Sequence, residues 1–180
     1  MSPLPERLID RWRDGYGDAD PEYGMLYWHI LLGGDPEMRM MAQAAQSRVS
    51  HFPGLHLTPL QWLHLTVLTA GPADQISEHA RSEMLARARS YLAGTGSITV
   101  EFRRVFYHQE AIVLTAHPAE ALQPIREAAQ RATRAVTGHS GANGRSSPQW
   151  HHTSRFATAP AFSPLSRLSL RWAKGCQVAR

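Results

Sequence analysis

Lysine is almost missing from this chain of 180 residues, with Lys174 standing alone beside eighteen arginines. A single cysteine, Cys176, allows no disulfide within the chain, which removes the stapled scaffolds of small secreted proteins. No run of eighteen apolar residues occurs, so no membrane-spanning helix is expected. The opening Met1-Ser2-Pro3-Leu4-Pro5-Glu6 lacks the basic-then-apolar layout of a signal peptide. These absences predict a cytoplasmic protein without a membrane partner, long enough to bury one core.

Acids are missing from the last part of the chain. All fifteen Asp and Glu residues lie at or before Glu127, where eleven arginines leave a balance of −4. From residue 128 onward seven arginines and Lys174 give +8 with no acid. The net charge of +4 therefore belongs to the end of the chain. Such a basic segment is able to meet RNA or another polyanion, but it does not make the whole chain a nucleic-acid binder.

Residues 1–23 are rich in Pro, Asp and Gly and read as an irregular segment with a short helix over 5–12. Met25–Leu32 is an apolar and aromatic run ended by Gly33-Gly34, the pattern of a strand. Asp35-Pro36-Glu37 supplies a capping side chain followed by proline at the first helical position, which predicts a helix to about Ser50. A second strand runs around His64 and closes at Gly71-Pro72. Asp74 or Ser77 caps a helix to about Ala93, and Gly94-Thr95-Gly96 ends it. Ser97–Tyr107 and Ala111–Ala116 read as strands, and Pro118–Val136 as a helix with Pro124 in its first turns or at a kink. Trp150–Ala157 is locally strand-like, whereas Ala159–Arg180 shows no clean period. The order of elements is α+β. The expected organisation is an irregular segment over 1–23, one domain over 24–158 and a basic, poorly ordered tail over 159–180.

The stretch with most chemistry is Gln61-Trp62-Leu63-His64-Leu65-Thr66-Val67-Leu68. Residues i and i+2 of a strand share a face, so His64 and Thr66 lie side by side while Leu63, Leu65 and Val67 point into a core. An imidazole beside a hydroxyl suits the handling of a phosphate. His56-Leu57-Thr58 has the same spacing, but Pro59 follows it and is poorly placed inside a central strand. His56 therefore reads as a loop or strand-edge residue. A second cluster is Trp150-His151-His152-Thr153-Ser154, which offers two registers, His152 with Ser154 or His151 with Thr153. Ten histidines raise the question of a metal, yet no pair has ligand spacing supported by carboxylates or cysteines, and no metal site is expected. His29 reads as a core histidine or a cleft residue, with the core favoured. Arg103 and Arg104 read as a solvated face, and Trp28, Trp62 and Tyr107 as core.

The two His/hydroxyl clusters resemble the two-histidine (2H) phosphoesterases, the superfamily of 2′,5′-RNA ligase-like proteins and cyclic phosphodiesterases. Their signature is H-x-T/S on two strands, one from each pseudo-symmetric lobe. Tyr27-Trp28-His29, the following helix, Pro53-Gly54-Leu55 and Pro59–Thr66 look like actinobacterial members, and the resemblance covers about residues 24–137. It implies an α+β, two-lobed, pseudo-symmetric fold with antiparallel sheets lining a central cleft and helices outside. It also implies a monomeric phosphodiesterase acting on nucleotides or RNA ends bearing 2′,3′-cyclic phosphates or 2′–5′ linkages, with no cofactor. His64 and His152 would be the catalytic pair and Thr66 and Ser154 the phosphate-binding hydroxyls. His152 is preferred because Trp150 then aligns with the aromatic residue that precedes the family's P-H step. The rival is a non-catalytic nucleotide- or RNA-binding relative that lacks a working second half-site.

The second cluster departs from the family pattern, which has proline before the histidine and aliphatic residues around the hydroxyl. Arg155 stands where an aliphatic is expected. Codons compatible with Trp150–Ala159, read from the last base of the tryptophan codon, spell Ala-Pro-His-Val-Ser-Leu-Arg-Tyr-Ser. A change of reading frame between about Gly138 and Pro148 accounts together for this departure, the missing acids and the lost periodicity.

Overall fold

The computed structural model describes residues 24–53, 55–108, 111–141, 153–155, 166–170 and 176–179. Ten elements follow in the order β1 (Met25–Leu31), α1 (Pro36–Val49), β2 (His64–Pro72), α2 (Glu78–Leu92), β3 (Ile98–His108), β4 (Ala111–His117), α3 (Gln123–Thr137), β5 (Thr153–Arg155), β6 (Ser166–Leu170) and β7 (Cys176–Ala179). Local chemistry sets the helix ends. The Asp35 carboxylate accepts from the Met38 N–H at 2.9 Å, and the Ser77 hydroxyl accepts from the Ala80 N–H at 3.2 Å. Each satisfies a donor that the first turn leaves open. Gly138 ends α3 in the left-handed region, with its N–H donating to the Arg134 carbonyl at 3.0 Å.

Two stretches differ from the sequence expectation. The helix read from Pro118 begins at Gln123, and Ala119–Leu122 forms a short 3-10 turn before it. Pro124, which has no N–H to donate, thereby occupies the first turn and no kink is needed. Two strands, β6 and β7, fall within 159–180, where the chain shows no clean period.

All strand pairs are antiparallel, in the order β6-β3-β4-β5-β2-β1-β7. The arrangement is two antiparallel halves, β7-β1-β2 and β4-β3-β6, with the short strand β5 between β2 and β4. One hydrophobic cluster joins sheet and helices. Leu26, Trp28 and Ile30 of β1 and Leu65 and Val67 of β2 meet Met38 and Ala42 of α1, Met84 and Ala88 of α2, and Ile125, Ala128 and Ala132 of α3. The Trp28 Nε1–H donates to the Thr133 hydroxyl at 2.9 Å, and that hydroxyl donates to the Ala129 carbonyl. The indole is thus buried with its one polar group satisfied. Arg131 of α3 lies over the Tyr91 ring of α2, 4.1 Å from its centre. The alternation that buries one face of β1 and β2 leaves Tyr27, His29, His64 and Thr66 half-buried on the other.

Candidate active site

His64 opens β2, directly after a 3-10 turn over Leu60–Trp62. The turn is held close to the end of β1. A Cβ added to Gly33 would meet the Leu60 and Gln61 carbonyl oxygens at 2.5 Å, and the Leu32 N–H donates to the Leu63 carbonyl at 2.7 Å. Only glycine permits this approach. The turn in return presents the Trp62 carbonyl to His64, 2.7 Å from Nδ1. A carbonyl only accepts, so Nδ1 carries the proton and Nε2 is left with the lone pair in the neutral ring. That is the tautomer a general base needs.

The face of His64 is not open on both sides. The His29 ring is stacked on it, with centroids 4.1 Å apart and planes 18° from parallel. Tyr27 stacks on His29 in turn, at 5.6 Å and 15°. His29 is therefore no core residue, because it alternates with the buried Leu26, Trp28 and Ile30 and so faces away from the helices. Thr66 stands across from His29 in the β1–β2 register. Trp62, expected in the core, is 55% exposed. It belongs to the turn and not to the strand, so strand alternation does not govern it. His56 is exposed in a segment without regular structure, as its following proline predicts.

A further hydroxyl–imidazole pair, which sequence reasoning passed over, lies on β4. The Thr115 Oγ1 is 3.2 Å from His117 Nε2. The signal was there to read, since Thr115-Ala116-His117 is the H-x-T spacing in reverse order. Arg104 takes the register position across from Thr115 on the other side, on β3.

His151 and His152 lie outside the described residues. Thr153 and Ser154 form the first two positions of β5, whose backbone pairs with both neighbouring strands. Ser154 is across from Leu65 on β2 and from Leu114 on β4, while Thr153 is across from Thr115. Among the described residues no three or more His, Cys, Asp or Glu converge as a metal-binding group, and no helix is long and apolar enough to cross a membrane.

No family model and no curated protein matches the chain. Solved structures do. Escherichia coli LigT in its apo form has a TM-score of 0.54 at 17% identity, with 87% of this chain and 94% of that one covered. TT0787 of Thermus thermophilus has a TM-score of 0.56 at 19% identity, covering 81% and 80%. The MHV ns2 PDE domain has a TM-score of 0.52 at 13% identity, covering 86% and 96%. All three are members of the 2H phosphoesterase superfamily. The chain has the 2H phosphoesterase fold. His64 and Thr66 lie on β2, one of the inner strands of the sheet. The elements of the 2H fold also bring the backbone of Thr153 and Ser154 beside that strand.

Proposed function

We propose that this protein is a phosphodiesterase acting on nucleotides or RNA ends with a 2′,3′-cyclic phosphate or a 2′–5′ linkage. The observation that carries the proposal is the His64/Thr66 pair on β2, with Nδ1 of His64 tied to the Trp62 carbonyl. The lone pair on Nε2 takes a proton from water or a ribose hydroxyl. The Thr66 hydroxyl donates to a phosphate oxygen, where charge grows as the nucleophile adds. A second imidazole gives a proton to the leaving oxygen. The proposed chemistry runs on imidazole and hydroxyl groups and uses no metal. That the solved neighbours include a PDE domain and LigT complexed with NADP+ agrees with a nucleotide substrate.

For the second half-site the β5 register favours His151 and Thr153 over His152 and Ser154. Residues opposite one another in an antiparallel ladder share a face. Position 154 is opposite Leu65, a core residue, and Leu114, which packs against the core. One step along the same ladder brings position 153 level with Thr66.

Hydrolysis of 2′,3′-cyclic nucleotides by the wild type and by His64→Ala tests the reading. Hydrolysis that His64→Ala abolishes is the expected result, and a His64→Ala protein as active as the wild type would sink it. Arg155, at the place of an aliphatic residue, favours a second reading in which the chain binds nucleotides without cleaving them. A wild type that binds a cyclic nucleotide but never hydrolyses it would establish that alternative.

A further inference from the structure

His64 is restrained at two points. Its Nδ1–H is bonded to the Trp62 carbonyl at 2.7 Å, and one ring face is covered by His29 at 4.1 Å and 18°. A covered face limits how far an imidazole swings about a hydrogen bond. What covers the face is itself held. His29 sits between Leu26, Trp28 and Ile30, which are buried on the far side of β1, and the Trp28 indole is bonded to Thr133 of α3 at 2.9 Å. Tyr27 backs the His29 ring at 5.6 Å and 15°. Three rings thus form a column that runs along β1 and crosses to β2, with His64 at its end.

We propose that His29 is a positioning residue for His64. Its ring face holds the His64 imidazole so that the edge bearing Nε2 is presented to the substrate phosphate. This rests on the reading of His64 as the catalytic base. The role belongs to the flat ring and not to the His29 nitrogens, so a benzene ring should serve as well. Orientation is where the gain lies, since a reacting group displaced by about 1 Å can lose as much as a hundredfold in rate.

The experiment compares wild type, His29→Ala, His29→Leu and His29→Phe with 2′,3′-cyclic AMP as the probe, alongside His64→Ala. His29→Ala and His29→Leu are expected to lower kcat about tenfold with KM within about twofold, the signature of lost orientation without lost binding. His29→Phe is expected to keep most of the wild-type kcat. In NMR spectra the His64 ring-proton signals, identified by their loss in His64→Ala, should shift in His29→Ala and His29→Leu. Leucine fills the space without an aromatic face, so it keeps the test open if alanine unfolds the protein. Wild-type kcat in both His29→Ala and His29→Leu overturns the proposal. Equal losses in His29→Phe and His29→Ala overturn it too, because the imidazole nitrogens would then be the active feature, and so does an effect confined to KM. A wild type inert towards the probe overturns the phosphodiesterase reading and the positioning role with it. An active wild type with an unaltered His29→Ala removes the positioning role alone.

Discussion

The two halves of the candidate site are built on unequal foundations. The first is a nine-residue strand, β2, whose His64 and Thr66 alternate with Leu65 and Val67 at the centre of the core. Its histidine is fixed by a carbonyl and a stacked ring, and β1 lies along its full length. The second is β5, three residues of Thr, Ser and Arg between β2 and β4. Within Trp150–Arg155 no aliphatic residue is available to anchor a face in the way Leu65 and Val67 anchor β2. The contrast teaches that an H-x-T motif is two sets of residues: the polar pair that does the chemistry, and the apolar pair in the opposite phase that decides which way the polar pair faces.

The sharpest way to break this comparison is to remove one histidine from each half. His64→Ala should lower kcat/KM by about 10²–10⁴-fold, the usual worth of a general base. His151→Ala should cost a similar factor while His152→Ala leaves the rate within a few fold, if the β5 ladder sets the second half-site. The opposite ranking would show that the second half-site does not follow that ladder. Steady-state kinetics on a 2′,3′-cyclic nucleotide reads both.

A smaller loss is expected at the hydroxyl. Thr66→Val keeps the strand and removes the donor to the phosphate, and should reduce kcat by about 10²-fold or less. Gly33→Ala probes the foundation of the first half without touching its chemistry. The added methyl group meets the Leu60 and Gln61 carbonyls at 2.5 Å, which should cost about 1–3 kcal/mol in denaturant unfolding and lower activity by shifting the turn that carries the Trp62 carbonyl. Unchanged stability would show that the turn is free to yield. The smallest effect belongs to Trp62→Ala. At 55% exposure this side chain should change unfolding stability by no more than about 0.5 kcal/mol, and a larger loss would mean that the indole has a packing role.

Much of the first half is legible in the order of residues alone. Asp35-Pro36 announces the start of α1, and the alternation around His64 and Thr66 places both on one strand with an apolar reverse side. The face of His29 is harder to read. A histidine in a run such as Met-Leu-Tyr-Trp-His-Ile-Leu is flanked by apolar residues on both sides in sequence, and only the pairing with β2 shows which side is core. Trp62 escapes the pattern because the strand begins two residues later than the apolar run does. The strands β6 and β7 contain Ser, Arg and Gln and have no alternation of their own. Their pairing with β3 and β1 is decided by the partner and not by propensity. The second half-site depends on the residues after Gly138. The coding DNA from residue 137 onward bears directly on it, since codons that spell P-H-x-S/T in another frame would give β5 the aliphatic neighbours it lacks.

The place of β5 between β2 and β4 also has a consequence in time. A ribosome makes residues 24–141 before it makes the strand that joins their two halves. Until then the edges of β2 and β4 that β5 will fill are bare, each a row of unpaired backbone N–H and C=O groups inviting another strand. Strand β5 is thus the keystone of a sheet already begun, and any extended peptide that reaches the gap first competes for the same seat.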